Sequence, residues 1–449
     1  MPTDATADFA GWFRQSAPYI RAHRGRTFVI YVPGAVLAGG GAALIQDVAL
    51  LTSLGIHVVV VHGAAPQAAA ALAAAELPLR QHGGHPVVDA AQLARLRAVI
   101  GTLRLELEAA ASASLPNTPL AGSALRLIGG NLLFARPLGV RGGVDHLHAG
   151  LPRRLDVDAV RAYLREDAVV VISPLGVSPT GENFLLDAPA AAALAAGELQ
   201  ADKLLLLTPD LLPGRGALPA ELDPAGAQAL AAAAPIAADT AETALPALLL
   251  QAAHACRQGV RRAHLIPAGV EGALLRELFT RDGCGTLVTG EQYEALRPAD
   301  IGDIGGLLAL LEPLEEQGVL VRRSREQLEL QIGDFVVMER DNSIIACASL
   351  HRFEDEQVAE IACVAVHPAY REARRGRQLM QYLEQRARAG GVRAVFVLTT
   401  HTAHWFSELG FEPATPGDLP VARQALYNWQ RNSKIYLKQL TPAPTQAAP

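Results

Sequence analysis

The chain has 449 residues, half of them hydrophobic, which is enough apolar material for two or three domains with sizeable cores. A formal net charge of -6 argues against general nucleic-acid binding, and no run approaches the ~18 consecutive apolar residues of a membrane span. Four cysteines, Cys256, Cys284, Cys347 and Cys363, show neither CxxC spacing nor the density of secreted scaffolds, so reduced thiols and no metal site are expected.

The first residues, "MPTDATADFAGWFRQ", carry acidic groups where a secretory signal wants basic ones, so a cytoplasmic location is expected. "FAGWFRQSAPYIRAHR" then reads as an amphipathic helix, and residues 1–26 form the first segment. From Phe28 onward the apolar runs "TFVIYV", "HVVVVHG", "AVVVISP", "KLLLLTPD" and "RRAHLIPA" alternate with stretches of helical spacing. That alternation predicts an α/β unit over 27–289, a three-layer αβα domain with a mainly parallel sheet and a ligand crevice at the strands' carboxyl ends. Within it, "PAELDPAGAQALAAAAPIAADTAETALP" is Ala-rich and predicts weak helix or a surface excursion.

Near residue 290 the pattern resets, and an α+β domain is expected over 290–440, with a disordered Pro/Ala-rich tail at 441–449. A short strand in "YEALRP" precedes a helix that starts near Asp300 or Asp303. A hairpin follows in "DFVVMERDNSIIACASLHRF", then a central strand in "AEIACVAVHP". That strand runs into "AYREARRGR", a loop holding four arginines, and on into the helix "GRQLMQYLEQRARAGG". A strand delivered to a helix N-terminus makes an anion site, because the first-turn amides lack partners and the helix dipole is positive there. Gly376 would let the backbone approach an oxyanion, and Arg371, Arg374, Arg375 and Arg377 add charge.

This order of elements, with "V-x-V-x-P-x-Y-R-x-x-R-x-G" and "WFxELGF" about 30 residues on, resembles the GNAT superfamily of acetyl-CoA-dependent N-acetyltransferases. The resemblance implies that the loop holds the pyrophosphate of acetyl-CoA, a co-substrate rather than a bound cofactor, with Arg374 standing where the family has its first glycine. It implies Glu360 as general base, since an amine acceptor is mostly ammonium at neutral pH and must lose a proton before attack. It further implies Cys363, Val364 and Val366 as the acetyl-binding segment, the amides of Cys363 and Val364 as oxyanion donors, and Thr399 or Thr400 as hydrogen-bond donor to the leaving thiolate. Cys363 has no adjacent histidine in sequence to activate it, so direct attack is expected over an acetyl-cysteine intermediate.

Segments along nearly the whole chain, among them "VVVVHGAAPQ", "GALLRELFTRDGCGT", "RRSREQLE", "EIACVAVHP" and "LYNWQRNSK", resemble the bacterial N-acetylglutamate synthase family. An amino-acid N-acetyltransferase acting on L-glutamate, the first step of arginine biosynthesis, is therefore expected. Arginine is the natural clamp for a dicarboxylate, and Arg323 in "LVRRSRE" and Arg431 in "NWQRNSK" are the candidates.

The first domain resembles the amino-acid kinase family through "VVVVHGAAPQ", "SPLGVSPTGE" and "LLLLTPD". Tyr31 stands where those kinases carry a lysine, Pro86 falls at their substrate arginine, and Lys203 is the one lysine of the domain. A retained fold with lost phosphoryl transfer follows, leaving regulation and assembly. By the same resemblance L-arginine is the effector, with Glu277 facing its guanidinium and Gly283 and Gly285 letting backbone approach it. The N-terminal helix would link a homohexamer. The alternative is a non-catalytic arginine- and CoA-binding sensor, for which Arg374 in place of glycine is the one hint.

Overall fold

The computed structural model describes residues 5–38, 41–113, 121–122, 125–208, 218–233, 245–280, 283–290, 295–340, 343–370, 375–400, 403–425 and 433–440. The chain divides into two compact units, Met1–Glu291 and Gln292–Pro449.

The first unit is built on an eight-stranded sheet. Its order is Glu221–Leu222, Thr286–Val288, Arg262–Pro267, Lys203–Thr208, Thr27–Val32, His57–His62, Val169–Ile172 and Leu127–Gly129. Every pair is parallel except Arg262–Pro267 against Thr286–Val288. The central strands read as unbroken apolar runs because both faces are covered. Val29, Tyr31, Val59, Val61, Leu204 and Leu206 enter one core, and Phe28, Ile30, Val58, Val60, Leu205 and Leu207 enter the other. Tyr31 is wholly buried in the first of these cores.

Two outcomes differ in detail from the sequence reading. Part of the Ala-rich stretch, Pro224–Ala233, is a packed helix rather than a surface excursion: Ala227 and Ala231 lie in the core beside Leu248 and Leu249 of the helix Leu245–Arg257. Small side chains let the two helices approach closely. Residues 234–244 lie outside the described residues. The N-terminal helix Ala5–His23 docks on its own unit, where the Ser16 hydroxyl donates to the Phe279 carbonyl at 3.0 Å and a His23 ring nitrogen lies 2.9 Å from the Leu278 carbonyl.

The second unit carries a seven-stranded sheet. It runs Ala295–Pro298, Phe335–Arg340, Ser343–Phe353, Val358–Val366, Ala394–Thr399, Lys434–Gln439 and Glu412–Ala414. Its one parallel pair joins Val358–Val366 to Ala394–Thr399, and a parallel pair needs a crossover, here the helix Arg375–Ala389. Leu379, Met380, Leu383 and Ala387 of that helix fill one face of the sheet. Leu307, Leu310 and Leu311 of the helix Ile304–Glu316 fill part of the other, beside Phe335, Val337, Cys347 and Cys363. Ile304–Glu316 is entered through a short 3-10 turn capped by Asp300, while Asp303 accepts two hydrogen bonds from Arg297. No helix among the described residues is long and apolar enough to cross a membrane.

Candidate active site

The central strand Val358–Val366 is irregular on both edges, and the irregularities coincide. On the side of Ala394–Thr399 the ladder runs from Val358 opposite Ala394 to Glu360 opposite Phe396 and stops, although both strands continue. The sheet therefore opens beyond Glu360. On the other side Cys347 opposes Ala365 while Ser349 opposes Ala362, so three residues of the central strand face two of its neighbour. That is a one-residue bulge, and Cys363 sits in it with φ at 52°, a left-handed conformation that costs a non-glycine residue on the order of 1 kcal/mol or more.

Glu360 stands at the point where the strands part. It is 8% exposed, and its carboxylate accepts from Arg423 through Nε at 2.7 Å and Nη2 at 3.1 Å, a two-point contact. Arg423 lies in the short helix Val421–Gln424, and nothing in the sequence marked it; the pairing joins positions 63 apart that share no motif. Thr399, also 8% exposed, ends the opposite strand and so lies on the other lip of the opening. Val364 and Val366 are half-buried and pack toward the crossover-helix core. Burial raises the Cys363 thiol above its ordinary range, against the opposing influence of Arg323, so at neutral pH it is a protonated thiol and a poor nucleophile.

Arg323 is half-buried, its backbone N–H donates to Glu315 at 3.1 Å, and its charge acts on both Cys347 and Cys363. Arg371, Arg374 and Arg431 lie outside the described residues. Arg375 opens the crossover helix and turns back, donating to the Tyr370 carbonyl at 3.1 Å with its guanidinium 5.4 Å from the Tyr370 ring centre, whereas Arg377 is exposed. A Cβ at Gly376 would meet Cζ2 of Trp405 at 3.0 Å, so the glycine also makes room for an indole.

In the first unit, Glu277 is held by the protein itself. Its carboxylate accepts from the amides of Cys284 at 2.7 Å and Gly285 at 2.8 Å and from Nδ1 of His264 at 2.7 Å. Burial opposes its charge, yet the His264 contact and the two amides carry its pKa down to about 2. Burial, then the charge of Lys203, lowers His264 to about 4, so the ring is neutral at pH 7. With Nδ1–H given to Glu277, Nε2 is left to accept from Lys203 at 3.4 Å. Gly283 and Gly285 were expected to admit an effector, but a Cβ at Gly283 would strike the Glu277 carboxylate and one at Gly285 the Leu265 carbonyl. Both glycines serve the chain's own packing in this conformation. No group of three or more metal-ligating side chains occurs among the described residues.

Residues 26–210 match the amino acid kinase family and residues 307–411 the acetyltransferase (GNAT) family. The amino-acid acetyltransferase of Azotobacter vinelandii is 49% identical over 436 residues, 96% of this chain and 100% of that one. That of Pseudomonas fluorescens is 48% identical over 440 residues, with the same coverage. Among solved structures, N-acetylglutamate synthase from Neisseria gonorrhoeae complexed with coenzyme A and L-arginine has a TM-score of 0.86 at 36% identity, covering 96% of this chain and 99% of that one. The same synthase complexed with coenzyme A and N-acetyl-glutamate has a TM-score of 0.60 at 38% identity, with the same coverage. With an amino-acid-kinase-like unit followed by a GNAT unit that takes its acetyl group from acetyl-CoA, the chain belongs to the amino-acid acetyltransferase family.

Proposed function

We propose that the protein is an N-acetylglutamate synthase, transferring acetyl from acetyl-CoA to the α-amino group of L-glutamate as the first step of arginine biosynthesis. The observation that carries the chemistry is the coincidence of three features on one strand: the opened ladder, the Cys363 bulge and the buried carboxylate of Glu360. Supporting glutamate as acceptor is the likeness to the Neisseria gonorrhoeae synthase, which has been seen with coenzyme A and N-acetyl-glutamate.

In this reading Glu360 takes a proton from the glutamate ammonium, directly or through a water, and the freed amine attacks the thioester carbonyl. The oxyanion of the tetrahedral intermediate is received by the amides of Cys363 and Val364. Collapse breaks the C–S bond, Thr399 supplies a hydrogen bond to the departing thiolate, and the second proton lost by the nitrogen as it becomes an amide ends on that sulfur. Arg423 orients the Glu360 carboxylate, while Arg323 and Arg431 clamp the two carboxylates of the acceptor. The arginine loop, Arg371, Arg374, Arg375, Gly376 and Arg377, lies against the CoA pyrophosphate.

Residues 27–289 serve as the regulatory domain, and residues 290–440 as the catalytic one. L-Arginine inhibits through the first domain, as the arginine-bound Neisseria structure suggests. The site at Glu277, Gly283 and Gly285 then requires an exchange, in which the effector guanidinium takes over the contact now made by His264. The segment 1–26 links subunits of a homohexamer, with Trp12 45% and Phe13 53% exposed on its helix. Four free thiols suit the cytoplasm.

The test is CoA release from acetyl-CoA with L-glutamate, run beside L-aspartate, L-glutamine and L-ornithine. Glutamate-specific release is expected. Turnover of another amine in preference to glutamate would overturn the substrate, and no turnover with any acceptor would favour the sensor.

A further inference from the structure

The bulge at Cys363 holds a non-glycine residue in the left-handed region, at φ 52°, and such strain persists only where its surroundings over-determine it. Two contacts grip the residue. The Cys347 thiol reaches the Cys363 carbonyl at 3.7 Å, and the buried Ser349 pairs with Ala362 at the near end of the bulge, where its hydroxyl acts on the Cys363 thiol. Ser349 is itself wholly buried and stands 3.1 Å from Nε2 of His351, whose Nδ1 lies 3.0 Å from an Asp334 carboxylate oxygen. The chain therefore runs from the bulge to Asp334, which is 46% exposed just before the strand Phe335–Arg340.

One set of donors satisfies every link. Asp334 can accept Nδ1–H, which leaves Nε2 to accept the Ser349 hydroxyl proton, with the serine oxygen turned to the Cys363 sulfur. Burial holds that thiol above its ordinary range, against the lowering influences of Arg323 and Ser349. His351 also stands directly opposite Glu360 across the strand pair, so the array lies on the same face of the sheet as the general base.

We infer that Ser349, His351 and Asp334 are positioning residues that lock the Cys363 bulge, and with it the amides that receive the thioester oxyanion. None of the three touches the reacting atoms in this scheme. The inference rests on the acetyl-transfer reading, because the bulge matters to catalysis only if its amides meet the thioester. A misplaced donor costs rate rather than binding, so the signature is a loss of kcat with little change in KM for acetyl-CoA.

The experiment is steady-state CoA release by the full-length protein with L-glutamate. Ser349→Ala is expected to lower kcat by about tenfold or more, with Ser349→Thr, which keeps the hydroxyl, close to wild type. His351→Leu, at the next link, is expected to lose less. In a Cys363→Gly background Ser349→Ala should cost less than about twofold further, because glycine holds the left-handed conformation unaided. Wild-type kcat in Ser349→Ala, or an undiminished loss in the glycine background, would overturn the inference. If Ser349→Ala does not fold, His351→Leu and its glycine pair carry the same test. A crystal structure of the variant reads the inference without turnover: residue 363 should leave the left-handed region, and retention of φ near its present value would sink it. Absence of wild-type turnover would instead count against the acetyl-transfer reading, with that crystal structure still deciding the network.

Discussion

Glu277 in the first unit and Glu360 in the second are both screened from solvent, and the two are held in opposite ways. Glu277 is fixed by the backbone amides of Cys284 and Gly285, which cannot leave without unfolding the turn at Gly283–Gly285, and is met on its other side by the neutral ring of His264. Glu360 is held by a side chain, the guanidinium of Arg423, which is itself 22% exposed. A carboxylate gripped by backbone keeps its charge through any ordinary change of pH, which suits a permanent element of structure. One gripped by an exchangeable side chain can accept a proton and return it, which suits a base.

The largest effect that sharpens this contrast is expected at Glu360. Glu360→Gln should lower kcat by roughly 100- to 1,000-fold with the fold intact, the range for loss of a general base; equal turnover at every pH would remove it from that role. Next comes Arg323→Met, expected to raise KM for glutamate by about 30-fold through loss of a charged carboxylate contact, while KM for acetyl-CoA stays put.

A smaller effect concerns pH and the first unit. His264 has a folded value of about 4 against an ordinary 6.5, so between these limits the unfolded chain binds a proton that the folded chain refuses. Stability must therefore fall as pH falls from 6.5 to 4, by at most about 1.4 kcal/mol per pH unit. Glu277, depressed from 4.5 to about 2, acts with the same sign across that lower window. Hydrogen exchange of the strand Arg262–Pro267 should report the slope, and His264→Gln should flatten it. The smallest expected change is Gly376→Ala, which presses a methyl on Trp405 and should cost about 1–3 kcal/mol in a thermal melt.

The architecture was legible because it is written in periodicity. Runs such as "HVVVVHG" could only be strands covered on both faces, and the break near residue 290 separated two different patterns. Glu360 and Thr399 became candidates by their place in strands of a recognisable order, and both lie where those strands part. Arg423 was not, because a side chain that folds back across 63 residues leaves no local signal. The glycines carry only part of their meaning in the sequence. Sequence marks Gly283, Gly285 and Gly376 as places where something comes close, but only the fold says whether that is a ligand, a carboxylate or an indole. Ser349, His351 and Asp334 read separately as ordinary strand and turn residues, and a bulge that appears only in the paired sheet brings them to bear on one position.

The most direct test of the division of labour between the units is an L-arginine titration of glutamate-dependent CoA release, in the wild-type protein and in Glu277→Gln. Inhibition of the wild type that is lost or weakened by about tenfold or more in the variant is the predicted result, since the guanidinium would lose its charged partner. Turnover indifferent to arginine in the wild type, or inhibited equally in both proteins, would contradict a regulatory site at Glu277.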